Sequence, residues 1–375
     1  MKTAATTLIF CVGSLIAMSM VMLYSSVMTG PGSRFLMLQG AWCALGIIAC
    51  FTAAMVDYRV LKKLAIPLMI VTFLMLLAVF VPSVGVRVKG STRWINLYIC
   101  NFQPSEVAKV VLVIGLAWYG DRFQKHIGEF WRGLVFPGLM ALGLILPIFF
   151  EPDRGTTILL SGLTMVVLVV AGVRWFYLVP PGALGAAAIS FLLMHDPIRR
   201  ARIMSWLSPD DHKSGVGYQS WQAMLALGSG GVTGLGLGNG RQKLGFIPEQ
   251  HTDFILSVIG EEMGVVATLA IVCAFIAFII AGVYIAWHSR DVFGLLLGTG
   301  ITFLVGMQAF INIGVVTSTL PNKGLALPFI SYGGSSMLSM LGAMGILLSI
   351  ARVSRPTANH EEEPEETDLR SAQYA

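Results

Sequence analysis

The segment Gly234–Gly264, GLGLGNGRQKLGFIPEQHTDFILSVIGEEMG, marks the point where this chain changes from a polar loop to a membrane helix. It gathers glycines, cations, carboxylates and a histidine, whereas the run Phe254–Trp287 is apolar except for Glu261 and Glu262. Asp253 therefore stands where a polar segment meets a hydrophobic helix. An ionisable group at such a boundary is costly to keep and indicates a functional site. We predict that Asp253 is a catalytic base working at a membrane surface.

The composition of the chain is that of a membrane protein with several spans. Of its 375 residues, 55% are hydrophobic and 12% are charged, and soluble domains carry roughly twice that share of charge. The net charge of +5 is modest and the cations are scattered among loops, so we predict no nucleic-acid partner. The five cysteines show no metal-ligand spacing, and we predict that they fill apolar space.

The apolar runs predict an all-α polytopic membrane protein with about ten transmembrane helices. A membrane-crossing helix needs roughly 20 apolar residues. By that measure the spans are Leu8–Met28, Phe35–Val56, Leu64–Val81, Val107–Tyr119, Leu134–Phe150, Thr156–Ala171, Phe176–Met194, Phe254–Trp287, Val292–Val316 and Ser335–Ile350. We predict one transmembrane domain of residues 1–355, with a large extracytoplasmic loop, about 195–252, between helices 7 and 8. A disordered acidic cytoplasmic tail, 356–375, follows.

An even number of spans places both chain ends on the same side of the membrane. The loops on that side carry many cations, including Arg59, Lys62, Arg122 and Arg132, and the positive-inside tendency puts them in the cytoplasm. The opposite loops then face outward, and the longest of them, His195–Thr252, has no obvious helix or strand pattern. Connections of that kind longer than about 15 residues are usually functional.

Four polar clusters are predicted to lie on the outer face. They are Val88–Glu106, the turn Glu151–Thr157, the long loop through Asp253, and Leu320–Ser336. Two prolines and several glycines exclude a regular helix from the last cluster, although it lies in an apolar region. Irregular backbone at membrane depth persists only when it is packed in protein or lines a wet cavity. The four clusters therefore predict one shared cavity open to the outside.

Six cations near these clusters suit a phosphate or pyrophosphate head group. They are Arg93, Lys109, Arg199, Arg202, Lys243 and Lys323. Arginine offers bidentate geometry and lysine a compact charge. The glycines of Gly234–Gly240 could also let backbone N–H groups approach an anion. The same polar segments contribute Glu106, Gln219, Glu249, His251 and Ser331, which complete the candidate substrate-binding set.

Several of these residues also have a purely structural explanation. Arg93 or Lys109 could form an ion pair with Glu106, or extend its charged end toward the membrane surface. Asp153 could cap a helix, with its carboxylate at the positive end of the helix dipole. Asp253 could likewise cap the apolar helix that follows it. These alternatives stay open when the residues alone are considered.

The acidic residues and the histidine around this point allow more than one interpretation. Glu249 and His251 follow a proline, and either could cap the next helix. A metal site at His251 is disfavoured because no companion His, Cys or carboxylate stands at ligand spacing. Glu261 and Glu262, eight and nine residues after Asp253, point in different directions on a helix. Their position favours buried pairing or cavity lining over direct chemistry.

Several longer motifs, taken together and in this order, resemble one known family. They are KGSTRWI (89–95), FQPSEVAK (102–109), PDRGT (152–156), GYQ (217–219), GLGNGRQKLGFIPEQHTDFI (236–255) and LPNKGLALPFISYGGSS (320–336). They resemble the SEDS proteins, named for shape, elongation, division and sporulation, and the resemblance runs from Met1 to about Arg355. Within the family, GLGNGRQK, GEEMG and NKGLALP are more similar to the division members than to the elongation members.

The resemblance implies a ten-helix peptidoglycan glycosyltransferase that polymerises lipid II on the outer face of the bacterial cytoplasmic membrane, at the division septum. The expected partners are lipid II, the growing glycan strand, a class B penicillin-binding transpeptidase and other division proteins. The resemblance implies no required cofactor, although a divalent cation, Mg or Mn, could screen the pyrophosphate.

The resemblance also implies roles for particular residues. Asp253 matches the aspartate of the family's HTDF motif, which is essential for polymerisation. Lys109 matches the lysine of its QPSExxK motif, and Arg93 matches the arginine of its RW motif. Two positions depart from the pattern: Glu151 stands where the family usually has glutamine, and Arg154 where it usually has an apolar residue. These departures change the local charge at one rim of the expected cavity.

Two other functions would use the same features. A lipid II flippase needs the same cavity and cations, but its cavity must open alternately to both leaflets, and the polar clusters gather on one side. A division scaffold would recruit a transpeptidase through its helix faces and would not need Asp253. Polymer formation by the reconstituted protein separates the enzyme from both.

Overall fold

The computed structural model describes residues 1–27, 33–88, 91–96, 101–195, 197–208, 215–242 and 251–354. Within these ranges the chain forms twelve α-helices. They are α1 (Lys2–Val27), α2 (Ser33–Met55), α3 (Val60–Ala78), α4 (Pro104–Arg122), α5 (Phe136–Phe150), α6 (Arg154–Ala171), α7 (Trp175–His195), α8 (Pro197–Leu207), α9 (Tyr218–Gly230), α10 (Ile255–Trp287), α11 (Val292–Val316) and α12 (Gly334–Val353). Short 3₁₀ or π turns occur at Gln124–His126, Trp131–Val135 and Gly215–Gly217.

The prediction of an all-α membrane protein is confirmed. Within the described ranges, eight helical segments are long and apolar enough to cross a membrane: Lys2–Ser25, Arg34–Met55, Val60–Ala78, Trp131–Phe150, Arg154–Ala171, Ile255–Trp287, Val292–Val316 and Gly334–Val353. The two other predicted runs lie in α4 and α7. Apolar runs form helices because lipid leaves every backbone N–H and C=O to be satisfied within the segment. The count of ten spans and the domain boundary at 355 stay predictions, and the predicted tail, 356–375, lies outside the described residues.

Helices α4, α6, α11 and α12 lie inside the bundle, and α2 and α3 lie at its edge. Helix α4 packs against α3, α6 and α11, and nearly all of its residues are buried. Helix α11 is mostly buried as well, whereas most side chains of α2 and α3 face outward. The interior helices can therefore carry Lys109, Gln308 and Asn312, since each of these polar side chains faces protein rather than lipid.

A small antiparallel sheet, absent from the sequence-based prediction, precedes α4. Its strands are β1 (Gly85–Val88), β2 (Ser91–Asn96) and β3 (Asn101–Phe102), in the order β1-β2-β3. Trp94 pairs with Val86. Because the strands are short, they lack the long alternating pattern by which strands are recognised in a sequence. Strand β3 leads directly into α4, so the sheet fixes the position of β2 relative to the start of that helix.

The predicted outer loop contains regular structure, so the expectation of an irregular connection is wrong for its described parts. They include α8 and α9, and α9 packs against α10. The buried residues of α9 are small: Ala223, Ala226 and Gly230. Helices with a small-residue face lack the stripe of large apolar side chains that predicts an amphipathic helix. Helix α8 is anchored by Trp206, whose Nε1 donates a hydrogen bond to the Ser318 carbonyl at 2.9 Å.

Helix α10 is broken at Gly264, where the backbone adopts φ 75° and ψ −172°. Glycine adopts this conformation far more readily than other residues, and a β-carbon at residue 264 would collide with the Val232 carbonyl oxygen. The preceding loop bonds to the helix beside the break: the Leu235 N–H donates to the Glu261 carbonyl at 2.9 Å. The break therefore allows the glycine-rich loop, residues 231–242, to pack against α10.

Candidate active site

A polar cavity of about 570 Å³ opens at the end of the bundle where the four polar clusters lie. Its lining includes Arg93, Trp94 and Glu106 from the first cluster, Asp153 and Thr156 from the second, residues 251–253 from the third, and Gly324 and residues 332–336 from the fourth. Pockets that bind small molecules usually measure about 300–1,000 Å³. The structure thus brings all four clusters to one cavity within that range of sizes.

Asp253 lines this cavity just before α10 begins. The N-cap position of α10 is occupied by Phe254, whose side chain makes no capping hydrogen bond. Asp253 stands one residue before it, and the capping explanation stays an alternative prediction. A β-carbon on Gly324 would stand 2.7 Å from Asp253 Oδ2, so the carboxylate lies against bare backbone on the opposite wall.

The backbone around Asp253 is fastened at three consecutive carbonyl groups. The carbonyl oxygens of residues 251, 252 and 253 accept hydrogen bonds from the Tyr332 N–H at 2.9 Å, the Ser331 hydroxyl at 2.6 Å and the Asn312 amide at 2.8 Å. Ser331 is buried and does not line the cavity, although the sequence predicts it as a substrate contact. These bonds fix the backbone that carries the Asp253 side chain.

Lys109 lies beneath the cavity and forms the predicted ion pair. Its side chain is fully buried, and its Nζ atom lies 2.9 Å from Glu106 Oε1 and 2.8 Å from Gln308 Oε1. A buried charge is retained only when it is paired and hydrogen-bonded. Glu106 lines the cavity whereas Lys109 does not. The lysine can therefore affect the cavity only through the residues that it bonds, Glu106 and Gln308.

Arg93 of β2 holds the turn between α5 and α6. It donates hydrogen bonds to the carbonyls of Glu151, at 3.2 Å, and Pro152, at 2.7 Å. Its Nη1 atom also lies 3.9 Å from Asp153 Oδ2. Asp153 caps α6 by accepting the Thr156 N–H at 3.1 Å, which confirms the capping prediction. Strand, turn and helix are therefore joined at one rim of the cavity.

Glu151 is a buried carboxylic acid in that turn. Its side chain is 0% exposed, and neither carboxyl oxygen has a hydrogen-bond partner among the described residues. The pKa of Glu151 is raised from 4.5 to about 8, first by burial and then by the Asp153 carboxylate, while Arg93 lowers it. At neutral pH the acid is mostly neutral, so it resembles in charge the glutamine that the SEDS family usually has there. The neighbouring Arg154 guanidinium lies 3.5 Å from the centre of the Phe149 ring.

Two further predicted contacts lie beside the cavity rather than in its wall. Lys323 immediately precedes Gly324, and burial lowers its pKa. Gln219 on α9 accepts a hydrogen bond from Nδ2 of Asn322 at 3.3 Å. Gln219 thus bonds to the same short segment that ends at the wall facing Asp253. His251, in contrast, does line the cavity, where its ring packs against Phe35 and Tyr332.

Of the remaining predicted cations, the structure describes the side chain of Arg202 alone. Arg202 is exposed on α8 and does not line the cavity. Arg199 belongs to the same helix, but its side chain is not among those described. Lys243 and Glu249 lie outside the described residues. The binding roles of these four side chains stay predictions.

Helix α2 contributes a wall of the cavity that was not predicted from the sequence. Arg34, Leu38 and Trp42 all line it, at the four-residue spacing that places side chains on one helix face. A lone arginine at the end of an apolar run gives only a weak signal. Gln308 and Asn312 were not predicted either, although their sequence signal is stronger than that of Arg34. Two amide side chains four residues apart inside a membrane helix indicate a polar contact.

The fold and the cavity define a class of protein: a helical membrane protein with one polar site built from the irregular segments at one end of its bundle. A sequence model of the FtsW/RodA/SpoVE family, described as a cell cycle protein, matches residues 1–356. The chain belongs to that family.

Curated relatives and solved structures agree with this membership. A probable peptidoglycan glycosyltransferase FtsW from Geobacter metallireducens is 41% identical over 345 residues, 90% of this chain and 92% of that protein. Stage V sporulation protein E from Bacillus subtilis is 35% identical over 354 residues, 93% of this chain and 96% of that protein. A chain from a peptidoglycan synthase complex superposes with a TM-score of 0.79 at 26% identity, covering 92% of this chain and 97% of that one. The rod shape determining protein RodA of Thermus thermophilus gives a TM-score of 0.69 at 26% identity, covering 93% and 97%.

Proposed function

We propose that this protein joins lipid II units into β-1,4-linked glycan strands during cell division, with Asp253 as the general base. By relationship the chain is a peptidoglycan glycosyltransferase, since relatives of that name match 90% of it at 40–41% identity. The observation that carries the choice of base is the place of Asp253 in the wall of the polar cavity, on a fixed backbone.

The proposed reaction is a single displacement. The 4-hydroxyl oxygen of the acceptor GlcNAc forms a bond to the anomeric carbon of the donor MurNAc, and Asp253 accepts the hydroxyl proton. The bond from that carbon to the pyrophosphate oxygen breaks, and the polyprenyl pyrophosphate leaves with the electron pair. One displacement inverts the anomeric centre, so an α-linked donor yields a β-linkage. General-base catalysis contributes typically ~10²–10⁴-fold.

We propose that the arginines of the cavity stabilise the negative charge that develops on the leaving pyrophosphate. Arg34 and Arg93 line its wall, and preorganised charge is often the largest catalytic term. Arg93 is already oriented by its hydrogen bonds to the carbonyls of the 151–152 turn. Lys109 is buried, and we propose that it holds Glu106 in place instead of touching the substrate. The scheme requires no cofactor, although a divalent cation, Mg or Mn, could screen the pyrophosphate.

An apolar groove near the cavity supports the proposal that the substrate is lipid-linked. It measures about 280 Å³ and lies between α4 and α12, beside α2 and α3. Val107 and Val110 line it on α4, and Ser339 and Gly342 line it on α12. On the same two helices, Glu106 and residues 334–336 line the polar cavity. A head group in the cavity could therefore extend its polyprenyl chain into the groove.

We propose that the cavity opens on the extracytoplasmic face of the bacterial cytoplasmic membrane, at the septum. The opposite end of the bundle carries Arg59, which lies 2.9 Å from Asp291, and Lys62, which pairs with Asp121. Arg352 also lies at that end and donates to a backbone carbonyl. Cations of this kind favour the cytoplasmic side, which leaves the cavity facing the compartment in which the cell wall is built.

The partner that we propose is a class B penicillin-binding transpeptidase, acting with other division proteins. The support is the likeness to a chain from a peptidoglycan synthase complex whose polymerisation and crosslinking are coordinated. A polymerase and a crosslinking enzyme act on the same strand, so a physical association keeps the new glycan within reach of the second enzyme.

The test is polymerisation by the purified protein supplied with lipid II, with and without the transpeptidase, and read as product length on a gel. We expect Asp253→Asn to lose activity by about 10²-fold or more, since the base is gone. The matched control is Glu129→Gln, the same change of carboxylate to amide at an exposed position far from the cavity. Undiminished glycan chains from Asp253→Asn would remove this residue as the base.

The same preparation separates the two other functions. A lipid II flippase produces no polymer from lipid II in detergent, where there is no bilayer to cross. If the protein were only a scaffold, the Asp253→Asn variant would support the partner transpeptidase to the same extent as the parent protein. Polymer that depends on Asp253 excludes both.

A further inference from the structure

Two adjacent carboxylates of α10, Glu261 and Glu262, are used by neither the cavity nor the proposed chemistry. Both are 1% exposed, and neither lines the cavity. They lie about two turns beyond the start of α10, just before the break at Gly264. A buried carboxylate in a membrane helix is retained only when other groups bond to it. Most of the groups that do so here are backbone N–H groups of the glycine-rich loop, residues 231–242.

Glu261 binds the end of the loop through backbone N–H groups. Its Oε1 atom accepts the Arg241 N–H at 2.8 Å, and its Oε2 atom accepts the Gln242 N–H at 3.2 Å. Consecutive N–H groups that converge on one anion are a common backbone motif. From the sequence, the glycine run Gly234–Gly240 could approach an anion, and in the structure its Gly238 N–H donates to a side chain of the protein itself, Glu262.

Glu262 joins the loop to the first helix. Its Oε2 atom accepts the Gly238 N–H at 3.1 Å and the Ser25 hydroxyl at 2.6 Å. Ser25 lies near the end of α1, which packs along α10. The two glutamates therefore fasten the loop at three of its backbone N–H groups, and they connect it to two membrane helices.

Gly240 shows how closely the loop approaches the carboxylates. A β-carbon at this residue would stand 2.9 Å from Glu261 Oε2 and 2.9 Å from Glu262 Oε1. No side chain fits in this gap without displacing one of the carboxylates or the loop. An alanine at 240 therefore disturbs the same contact as a change at Glu261, while leaving both carboxylates present.

A series of hydrogen bonds leads from the loop that Glu261 binds to the wall of the cavity. Gln242 donates from Nε2 to Gln222 Oε1 on α9, at 3.0 Å. One turn earlier on α9, Gln219 accepts from Nδ2 of Asn322 at 3.3 Å. Asn322 lies two residues before Gly324, the backbone against which the Asp253 carboxylate lies. The loop, α9 and the wall facing the proposed base are thus hydrogen-bonded in series.

We propose that Glu261 and Glu262 are positioning residues for glycan polymerisation. Their carboxylates hold loop 231–242 on α10, the loop holds α9, and α9 holds the segment that orients Asp253. The inference rests on the proposed function, since it concerns the geometry of the proposed base. It predicts a lower rate of the chemical step rather than weaker substrate binding, because neither glutamate touches the cavity.

The experiment compares Glu261→Gln and Gly240→Ala with the control Gly228→Ala. A glutamine at 261 presents an NH₂ group to one of the two N–H donors, so one bond is lost. Gly228 lies on α9 with open space around its β-carbon position, so alanine fits there without a collision. Glu262→Gln should be milder, since a single amide oxygen can still accept both the Gly238 N–H and the Ser25 hydroxyl.

Two measurements are made on each full-length variant. Hydrogen exchange followed by mass spectrometry reports the loop amides directly, without activity, and we expect exchange roughly tenfold faster or more in Glu261→Gln and Gly240→Ala. Polymerisation against lipid II concentration should show kcat lower by roughly tenfold, with KM within about twofold. Gly228→Ala should match the parent protein in both.

Each other outcome contradicts the proposal. Unchanged exchange in Glu261→Gln would show that the carboxylate does not hold the loop. Faster exchange with an unchanged kcat would show that the loop does not position the base. A raised KM at unchanged kcat would assign the loop to substrate binding instead. Failure of the proposed base is seen separately, as full activity in Asp253→Asn with normal exchange in the loop.

Discussion

The Oδ2 atom of Asp253 lies 2.7 Å from the point where a β-carbon on Gly324 would stand. Two segments about seventy residues apart in the chain thus meet with no side chain between them. The Asn312 side-chain amide stabilises this contact, because it donates hydrogen bonds to the carbonyls of both Asp253 and Leu325. The proposed base is therefore positioned by the segment before α12 as well as by the turn that precedes α10.

Gly324→Ala should impair catalysis without unfolding the protein. The added methyl group meets the end of the Asp253 side chain, which can rotate away at little cost in stability. A displacement of about 1 Å can lower the rate about 10²-fold, so we expect a loss between about tenfold and 10²-fold in polymerisation. Thermal unfolding should be close to that of the parent. Gly138→Ala, at an open position on α5, is the matched control, and full activity in Gly324→Ala would contradict the proposed placement of the base.

Lys109→Met should destabilise the bundle. Removing one partner of a buried ion pair costs about 3–5 kcal/mol, because Glu106 would then stay buried without its cation. We expect a clearly lower Tm for the detergent-solubilised protein. The double variant Lys109→Met, Glu106→Gln should regain much of that stability but not its activity, since Glu106 lines the cavity. A single variant as stable as the parent would show that the pair does not support the fold.

Glu151→Gln should stabilise the protein at high pH and leave it unchanged in acid. The pKa of Glu151 in the folded protein, about 8, lies above its value of 4.5 in the unfolded chain. The unfolded state therefore loses its proton first, and stability falls as the pH rises from about 4.5 to about 8, by at most about 1.4 kcal/mol per pH unit. The advantage in Tm of Glu151→Gln should grow across this range. An advantage that does not change with pH would contradict a buried, protonated Glu151.

Gly342→Leu should weaken the binding of long-chain substrate. Residue 342 lines the apolar groove, and open space surrounds its β-carbon position, so a leucine would fill the groove without a collision. We expect KM to rise several-fold for lipid II with a full polyprenyl chain, and to change little for a short-chain analogue. Gly138→Leu, on α5 with equally open space, is the control. An equal effect on both substrates would argue against a lipid chain in the groove.

The membrane helices could be predicted because hydrophobicity is a local property of the chain. Each predicted apolar run lies on a helix, and Pro104 begins α4 as its sequence indicates. The strands β1–β3 and helix α9 could not be predicted in this way. The strands are too short for an alternating pattern, and α9 buries small residues that carry no hydrophobic signal.

The candidate site was predictable in outline but not in its contacts. Polar residues in apolar surroundings pointed to four clusters and to Asp253 as the base. Whether Lys109 or Ser331 faces the cavity depends on which helix packs behind it, and both are turned into the protein. The contribution of Arg34 depends on the place of α2 beside α12, which no local pattern of residues encodes.

Sequence alone was enough to specify a helical membrane protein, the family motifs in their order, and an ionisable residue at the start of a membrane helix. Only the folded chain decided that Gln103 and Ser335, more than two hundred residues apart, bond at 3.0 Å beside the same cavity. The reason is physical: the transfer of a segment from water to lipid depends on its own residues, whereas a cavity wall consists of contacts between segments that are distant in the chain.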